Sequence, residues 1–375
     1  MIYLDYSATT KTNEEVLSSF SIASEKYFAN PNSSHKLGVE ANQLIEASTK
    51  QIANLLGVKE SEIIYTSGSS ESNNMAIKMV AYTFHSRGKH IITTEFEHSS
   101  IYSPISFLQR QGFDVDFVKT NDKGIIDLED LKKKIRDDTI LVSVASVNSE
   151  IGIRQPIEEI GKIVKKHEKC LFHVDATQSI GKCKIDFKDV DLASLSAHKF
   201  YGIKGIGILI KKENINIEPL IHGGKSTTKF RSGTPACPLI VSTAKALRLA
   251  YEKMDEKYEY VKRINNYLKD KLSKYELVRI NSNDKCIPHI LNLSVLGVKP
   301  ETMQHALEEY DIYISTQTAC SSKNPVSKGV MALTGDKDRA TSSIRISLSY
   351  LTTSEEIEDF LIAFEKCYDK LTNMR

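Results

Sequence analysis

Seven short, largely apolar runs between residues 62 and 210 restrict this chain more than any other feature. They lie at 62–66, 90–94, 114–118, 139–145, 170–175, 191–196 and 206–210. Near-continuous apolar runs of about four to eight residues read as strands covered on both faces, unlike the alternating pattern of a half-solvated sheet. Between several of them the spacing turns helical. Ala41, Leu44, Ile45, Ile52, Leu55 and Leu56 recur at helical intervals over 40–56, with Gly57 as a C-cap, and 71–86 and 156–168 look similar. Strands alternating with helices predict an α/β fold: a large domain with a mostly parallel seven-stranded sheet flanked by helices. From about 250 the texture changes. A long charged helix over 245–274 leads to alternating stretches at 277–281, 288–294 and 311–315, a helix near 301–310 and a closing helix over 354–371. This predicts a smaller α+β C-terminal domain, with 15–250 as the large domain and 251–375 plus residues 1–14 as the small one.

Composition serves mainly to exclude. A formal net charge of +2 over 375 residues gives no field that would favour nucleic acid or a membrane surface as a direct partner. No apolar run approaches the ~18 residues of a membrane span. Met1–Tyr6 lacks the basic and apolar segments of a signal peptide. The cysteines at 170, 183, 237, 286, 320 and 367 form no Cys-x-x-Cys pair. The expectation is therefore a cytoplasmic protein with no structural metal and no disulfide network.

In open α/β sheets ligands bind beyond the carboxyl ends of the strands, where helix N-termini point. After the 62–66 run comes Thr66-Ser-Gly-Ser-Ser-Glu-Ser-Asn-Asn74, opening a helix. Its hydroxyls and free N–H groups suit a phosphate, although an ordinary Ser-capped helix has the same composition. The next strand leads to Glu97-His98, and the 139–145 run to Val147-Asn148-Ser149-Glu150. The 170–175 run ends in His173-Val-Asp175-Ala-Thr-Gln178. There a carboxylate can hold a positively charged ring nitrogen and an amide an adjacent oxygen; a helix cap is the simpler alternative. The 191–196 run delivers Ser196, His198 and Lys199, followed by Gly202, Gly205 and Gly207. A lysine desolvated at a strand end becomes a nucleophilic amine able to form a Schiff base, whereas a solvent-facing turn lysine does nothing of the kind. Together these ends supply a phosphate seat, an imidazole to stack on a ring, an acid for a pyridinium nitrogen and an amine for an aldehyde. A pyridoxal-phosphate enzyme needs that set.

Ser196-Ala-His-Lys199, Asp175-Ala-Thr-Gln178, the Thr66–Ser72 stretch, Glu97-His98, His222-Gly-Gly with Arg231-Ser-Gly-Thr234, and Ser343-Ile-Arg345 resemble the cysteine desulfurases of the NifS/IscS type. These are class V members of the fold-type I pyridoxal-phosphate enzymes. The likeness runs from Tyr3-Leu-Asp-Tyr-Ser-Ala-Thr-Thr10 to the last helix. It implies pyridoxal 5'-phosphate as cofactor, Lys199 as its covalent anchor, Asp175 on the pyridinium nitrogen and His98 stacked on the ring. It also implies Gln178 on the phenolic oxygen, and Ser69, Ser70, Ser196 and His198 on the phosphate. Thr234 would reach the phosphate site of a second subunit in a homodimer, and Asn148 and Arg345 would bind the substrate.

Cys320 lies in Ile314-Ser-Thr-Gln-Thr-Ala-Cys-Ser-Ser-Lys-Asn-Pro325, a polar stretch in which nothing apolar would bury it and Lys323 would favour its thiolate. The resemblance makes it the nucleophile that takes sulfur from L-cysteine as a persulfide, leaving L-alanine, and passes it to an acceptor protein. Two departures bear on this. Ser149 stands where the family usually has a second, cofactor-contacting asparagine. The chain also ends at Arg375 without the tail that docks an iron–sulfur scaffold. With Cys320-Ser-Ser-Lys323, these are similar to a branch feeding a tRNA 4-thiouridine synthetase, so the expected acceptor is that enzyme or an iron–sulfur scaffold. The alternatives are a selenocysteine lyase or a class V aminotransferase, which needs no Cys320, and a cofactor-free interaction protein, against which Lys199, Asp175 and His98 argue.

Overall fold

A computed structural model describes residues 1–224, 226–316 and 326–373. Cys320 and Lys323 lie outside the described residues. After a short β1 (Ile2–Tyr3), the seven expected strands all form: β2 (Ile63–Thr66), β3 (His90–Thr93), β4 (Asp114–Phe117), β5 (Thr139–Ala145), β6 (Leu171–Asp175), β7 (Leu192–Ser196) and β8 (Gly207–Lys211). They make one sheet in the order β2-β8-β7-β6-β5-β3-β4. Strands β4, β3, β5, β6 and β7 pair in parallel, and β8 runs antiparallel between β7 and β2. Every residue of β3, β5, β7 and β8 is buried, which is why these strands read as continuous apolar runs. β4 sits at an edge and shows Asp114 and Asp116 at its surface. Charge there discourages pairing with another sheet.

The helix Lys36–Leu56 ends at Gly57, whose φ of 66° is the left-handed C-cap expected of it. The helix after β2 runs as Ser69–Asn74, a π-helical turn Met75–Met79, and Val80–Phe84. One reading needs correction: the charged helix expected over 245–274 is two helices, Cys237–Tyr251 and Met254–Leu272, broken where Lys253 takes φ 53°. The first buries Ile240, Ala244 and Leu247 in the core of the large sheet. The second buries Val261, Ile264 and Leu268 in a separate core. The chain turns because its apolar faces serve two cores, and the charged outer face, continuous through the break, hides this.

The second core contains β9 (Val278–Ile280), β10 (Ile290–Val295), β11 (Ile312–Tyr313) and β12 (Ser343–Ser347). β9, β10 and β12 form an antiparallel sheet in the order β12-β10-β9, and β1 pairs in parallel with β11. The N-terminal segment thus starts on the second core, with Leu4 fully buried there. It then crosses to the end of β7, where Thr10 Oγ1 donates to the His198 carbonyl at 2.9 Å and the Asn13 N–H to that of Tyr201 at 3.0 Å. Among the described residues no helix is long and apolar enough to cross a membrane.

Gly207 shows how closely the sheet backs the turn before Ser69. A Cβ there would stand 2.6 Å from both Cα and carbonyl carbon of Gly68, and 2.7 Å from the Leu195 carbonyl oxygen. These are backbone atoms and cannot swing aside. Gly207→Ala is expected to displace the Gly68 turn and lower stability by about 1–3 kcal/mol, read as an earlier midpoint in urea. An unchanged midpoint would show that the turn gives way freely.

Candidate active site

The carboxyl ends of β2, β3, β5, β6 and β7 converge on a cavity of about 180 Å³. Cavities of roughly 150 Å³ already admit one aromatic ring. Ser69 and Ser70 open it from the helix after β2, His98 from the segment after β3 and Ser149 from the turn after β5. Asp175 and Gln178 enter from the end of β6, His198 and Lys199 from the end of β7, and Arg345 from β12. The structure brings these nine together across 276 positions of sequence, from 69 to 345. Ser196 is buried just behind, its Oγ 3.6 Å from where a Cβ on Gly68 would stand.

Two predicted residues are placed elsewhere. Asn148 does not line this cavity. Its amide donates to the Phe96 carbonyl at 2.9 Å, and its oxygen accepts from the N–H groups of Glu150 and Ile151 at 3.0 and 2.7 Å. With both ends committed to backbone, it shapes the turn that presents Ser149. Thr234 is exposed and lies outside the lining of its own chain's cavity. Cys320, the remaining predicted residue, falls outside the described residues, but both flanks of its segment reach the site. Ser315 exchanges backbone hydrogen bonds with Arg345, at 2.7 and 3.1 Å. Beyond the segment, the Ser327 hydroxyl donates to the buried carboxylate of Glu150.

Asp175 is buried and braced from two sides. Asn73 Nδ2 donates to one oxygen at 2.9 Å and the Thr177 N–H to the other at 3.0 Å. Asn73 Nδ2 also reaches Ser100 Oγ at 2.8 Å, and Ser100 Oγ lies 2.8 Å from His98 Nδ1. The Ser100 N–H donates to the same nitrogen at 3.2 Å, so His98 caps the helix Ser99–Gln109. Because Nδ1 accepts, the proton of the neutral ring belongs on Nε2. Burial holds His98 below the usual imidazole range; Asp175 pulls it back up, and Lys199 and Arg345 push it further down. His198 is likewise depressed, to about 4, by burial and by the lysines at 199, 204 and 182. His198 is therefore neutral at pH 7, and burial biases His98 towards its neutral form.

The N-terminal segment supplies contacts that no sequence pattern announced. Lys199 is half-buried, and its Nζ donates to the Ser7 and Ala8 carbonyls at 2.6 and 2.7 Å. Arg345, 1% exposed, sends Nη2 to Asp5 at 2.8 Å and Nη1 to the Ser149 carbonyl at 2.9 Å. Three buried polar atoms of the lining residues have no partner among the described residues: Ser7 Oγ, Thr177 Oγ1 and Arg345 Nε. Burying unpaired donors and acceptors is costly, and a polar ligand relieves it. The residues fit pyridoxal phosphate. They offer hydroxyls and helix N–H groups for a phosphate, a braced carboxylate for a ring nitrogen, an imidazole, an amide and an amine. Ser7, Ala8 and Thr177 were missed because their hydroxyls and carbonyls carry no signature; the Tyr3–Thr10 motif was the available clue.

Glu97 stands beside this site, buried. Thr94 Oγ1 and the Ala145 N–H donate to Oε1 at 2.7 and 3.0 Å, and Oε2 has no partner among the described residues. Burial pushes its carboxyl up to about 8 against two hydrogen bonds that lower it. The folded chain therefore keeps a proton that the unfolded chain has released, and stability falls as pH rises from about 4.5 through 8. Glu97→Gln, which mimics the protonated acid, is expected to lose this slope. Relative to the parent it should gain a few kcal/mol between pH 5 and pH 8.5 in urea unfolding; parallel profiles would remove the assigned proton.

The aminotransferase class-V family matches residues 2–360. A NifS/IcsS protein homolog of Lactobacillus delbrueckii subsp. bulgaricus is 41% identical, over 100% of this chain and 99% of its own. The cysteine desulfurase IscS of Dictyoglomus turgidum is 38% identical, over 99% of this chain and 95% of its own. Among solved structures a NifS-like protein superposes with a TM-score of 0.92 at 37% identity, covering 99% of each chain.

Proposed function

The chain belongs to the aminotransferase class-V family and, within it, to the NifS/IscS cysteine desulfurases, and from that premise we propose that it takes sulfur from L-cysteine with bound pyridoxal 5'-phosphate, leaving L-alanine and a persulfide on Cys320. The observation that carries the reading is the convergence of Lys199, Asp175, His98 and Gln178 on a single cavity with unpartnered polar atoms.

When bound, the cofactor supplies an electron-accepting pyridinium ring conjugated to an imine carbon, which makes the substrate's α-proton removable. Ser69, Ser70, Ser196 and His198 hold the phosphate, with the N–H groups of the 69–84 helix. Asp175, kept in place by Asn73 and the Thr177 N–H, holds the proton on the ring nitrogen. His98 covers the ring face as a neutral imidazole. Ser149 and Gln178 serve polar atoms at the ring edge. Arg345 receives the substrate carboxylate, with its unpartnered Nε available and its Nη2 shared with Asp5. Lys199 Nζ would serve as the base that takes the substrate's α-proton. The Cys320 thiolate would then attack the substrate sulfur: the new S–S bond forms as the Cβ–S bond breaks, the Cβ–S electron pair passes to the carbon framework that the bound cofactor conjugates, and protonation of that framework gives alanine. Counted along the sequence, Cys320 is five residues past Ser315, the backbone partner of Arg345.

The same reading makes the protein a cytoplasmic homodimer of two-domain subunits. Thr234 is exposed and absent from its own cavity, and the Arg231–Glu71 ion pair at 3.0 Å moors its segment to the phosphate helix. Both support Thr234 serving the second subunit. Two separate apolar cores support the division into residues 15–250 and 251–375 with 1–14. The sulfur acceptor is a tRNA 4-thiouridine synthetase or an iron–sulfur scaffold. One experiment tests the core of the proposal: purified protein is given cofactor and L-cysteine. Stoichiometric alanine and one added sulfur on the 317–325 peptide are expected. Transamination without alanine, or faster turnover of selenocysteine than cysteine, would move the assignment to the aminotransferase or the lyase. A chain with no cofactor band and no product would return it to a binding protein.

A further inference from the structure

Past Gln178 the chain makes two successive turns, closed by Ser179 and Ile180 N–H bonds to Ala176 and by Lys182 and Cys183 N–H bonds to Ser179. Gly181 permits the reversal: its φ is +72°, and a Cβ there would meet the Ala250 Cβ at 2.8 Å. The result folds Lys182 back behind the cavity, where it is 7% exposed. Lys182 Nζ donates to Gln178 Oε1 at 2.7 Å, while Gln178 Nε2 donates to the Ser7 carbonyl at 3.0 Å.

A cation in this place is expensive. Burial and the charges of Lys199 and Arg345 push Lys182 down to about 7, against the Cys183 thiol, which raises it; no carboxylate is among these groups. The neighbouring His289 offers no negative charge either; burial and Lys182 hold it neutral, near 3, and its Nδ1 has no partner. Buried ammonium groups without a counter-ion need another reason to be there. Donor chemistry supplies one. An amide presents an oxygen at one end and N–H groups at the other, and the two ends are nearly the same shape. Left to itself, the Gln178 amide can turn over. In its protonated form Lys182 has donors and no acceptor, so it then tolerates only the oxygen.

We propose that Lys182 is a positioning residue for the cofactor, fixing the Gln178 amide with its oxygen turned inward and its N–H donors toward the cavity. The inference rests on Gln178 serving the cofactor's ring oxygen, as proposed above. A reversed amide would set its own oxygen against that electron-rich atom, and the contact would turn from attraction to repulsion. Lys182 itself touches neither cofactor nor substrate.

The test uses the full-length chain loaded with pyridoxal phosphate. Lys182→Met is expected to bind the cofactor about tenfold more weakly, the value of one hydrogen bond. It should also move upward the pH midpoint of the cofactor's visible absorbance change, because an oxygen without its donor holds the shared proton more tightly. In a Gln178→Ala background Lys182→Met should add nothing further. Lys182→Arg, also donor-only, should restore both readouts to within about twofold, and Lys182→Gln, which can face either amide end, should behave as the methionine variant. If Lys182→Met does not fold, the arginine and glutamine variants carry the comparison. Unchanged affinity and midpoint in Lys182→Met or Lys182→Gln would overturn the proposal. So would an equal shift with and without Gln178, since Lys182 would then act through its charge alone. A parent chain that binds no cofactor overturns the reading of the cavity and this inference with it.

Discussion

A Cys320→Ala chain is expected to bind pyridoxal phosphate as the parent does and still release sulfur from L-cysteine at least ~10³-fold more slowly, forming no persulfide. The magnitude follows from removing a nucleophile: without an attacking thiolate the Cβ–S bond has no acceptor but water or free thiol. The cofactor-binding groups that line the cavity come from positions 69–199, far from 320 in the sequence, so cofactor affinity and absorbance should not move. That separation makes the variant decisive among class V activities. An aminotransferase has no use for a thiol at 320 and would lose nothing. Mass spectrometry of the 317–325 peptide after L-cysteine, with alanine release measured in parallel, reads both halves. Persulfide elsewhere with undiminished alanine would assign sulfur transfer to another cysteine. Cys170 and Cys183 are poor candidates, as burial raises both thiols above their ordinary range.

Lys199→Ala is expected to abolish covalent attachment of the cofactor and to slow turnover by ~10³-fold or more, a range typical of losing a general base together with a covalent catalyst. The fold should survive. Lys199 is half-buried and holds two carbonyls. In its absence the Ser7 oxygen keeps the Gln178 donor, and the Ala8 oxygen loses the Lys199 donor, at about 1–3 kcal/mol. Borohydride reduction followed by peptide mapping reads the first effect, and alanine release the second. If added alkylamines restored part of the rate, the missing group would be identified as a base. A Lys199→Ala chain that kept its reducible linkage would place the anchor on another amine, and Lys182, buried behind Gln178, is the one to check.

The sheet was legible because its central strands are covered on both faces, so burial wrote itself into consecutive residues such as Thr139–Ala145. The site was legible for a related reason. Polar residues at the ends of such runs, at Asp175 and at Lys199, interrupt a pattern that is otherwise apolar. Both signals are local. The 245–274 stretch shows where local reading fails: its charged face runs unbroken past Lys253, while its buried face changes cores. Asn148 shows the same limit at the scale of one residue. The resemblance implies that it binds substrate, and its side chain hydrogen-bonds the backbone of the turn that presents Ser149.

By itself, then, the sequence determined the α/β architecture, the strand ends that carry chemistry and the residue types gathered there, all properties of short windows. Only the tertiary structure decided how those residues are held. Asp5 meets Arg345 across 340 positions, the Ser7 and Ala8 carbonyls receive the Lys199 ammonium, and Lys182 turns back on Gln178. The first two kinds of contact depend on where distant segments cross, and the third on a local turn at Gly181; neither leaves a periodicity. Spacing along the chain names the groups; packing sets their orientation, their charge and the partner each one keeps.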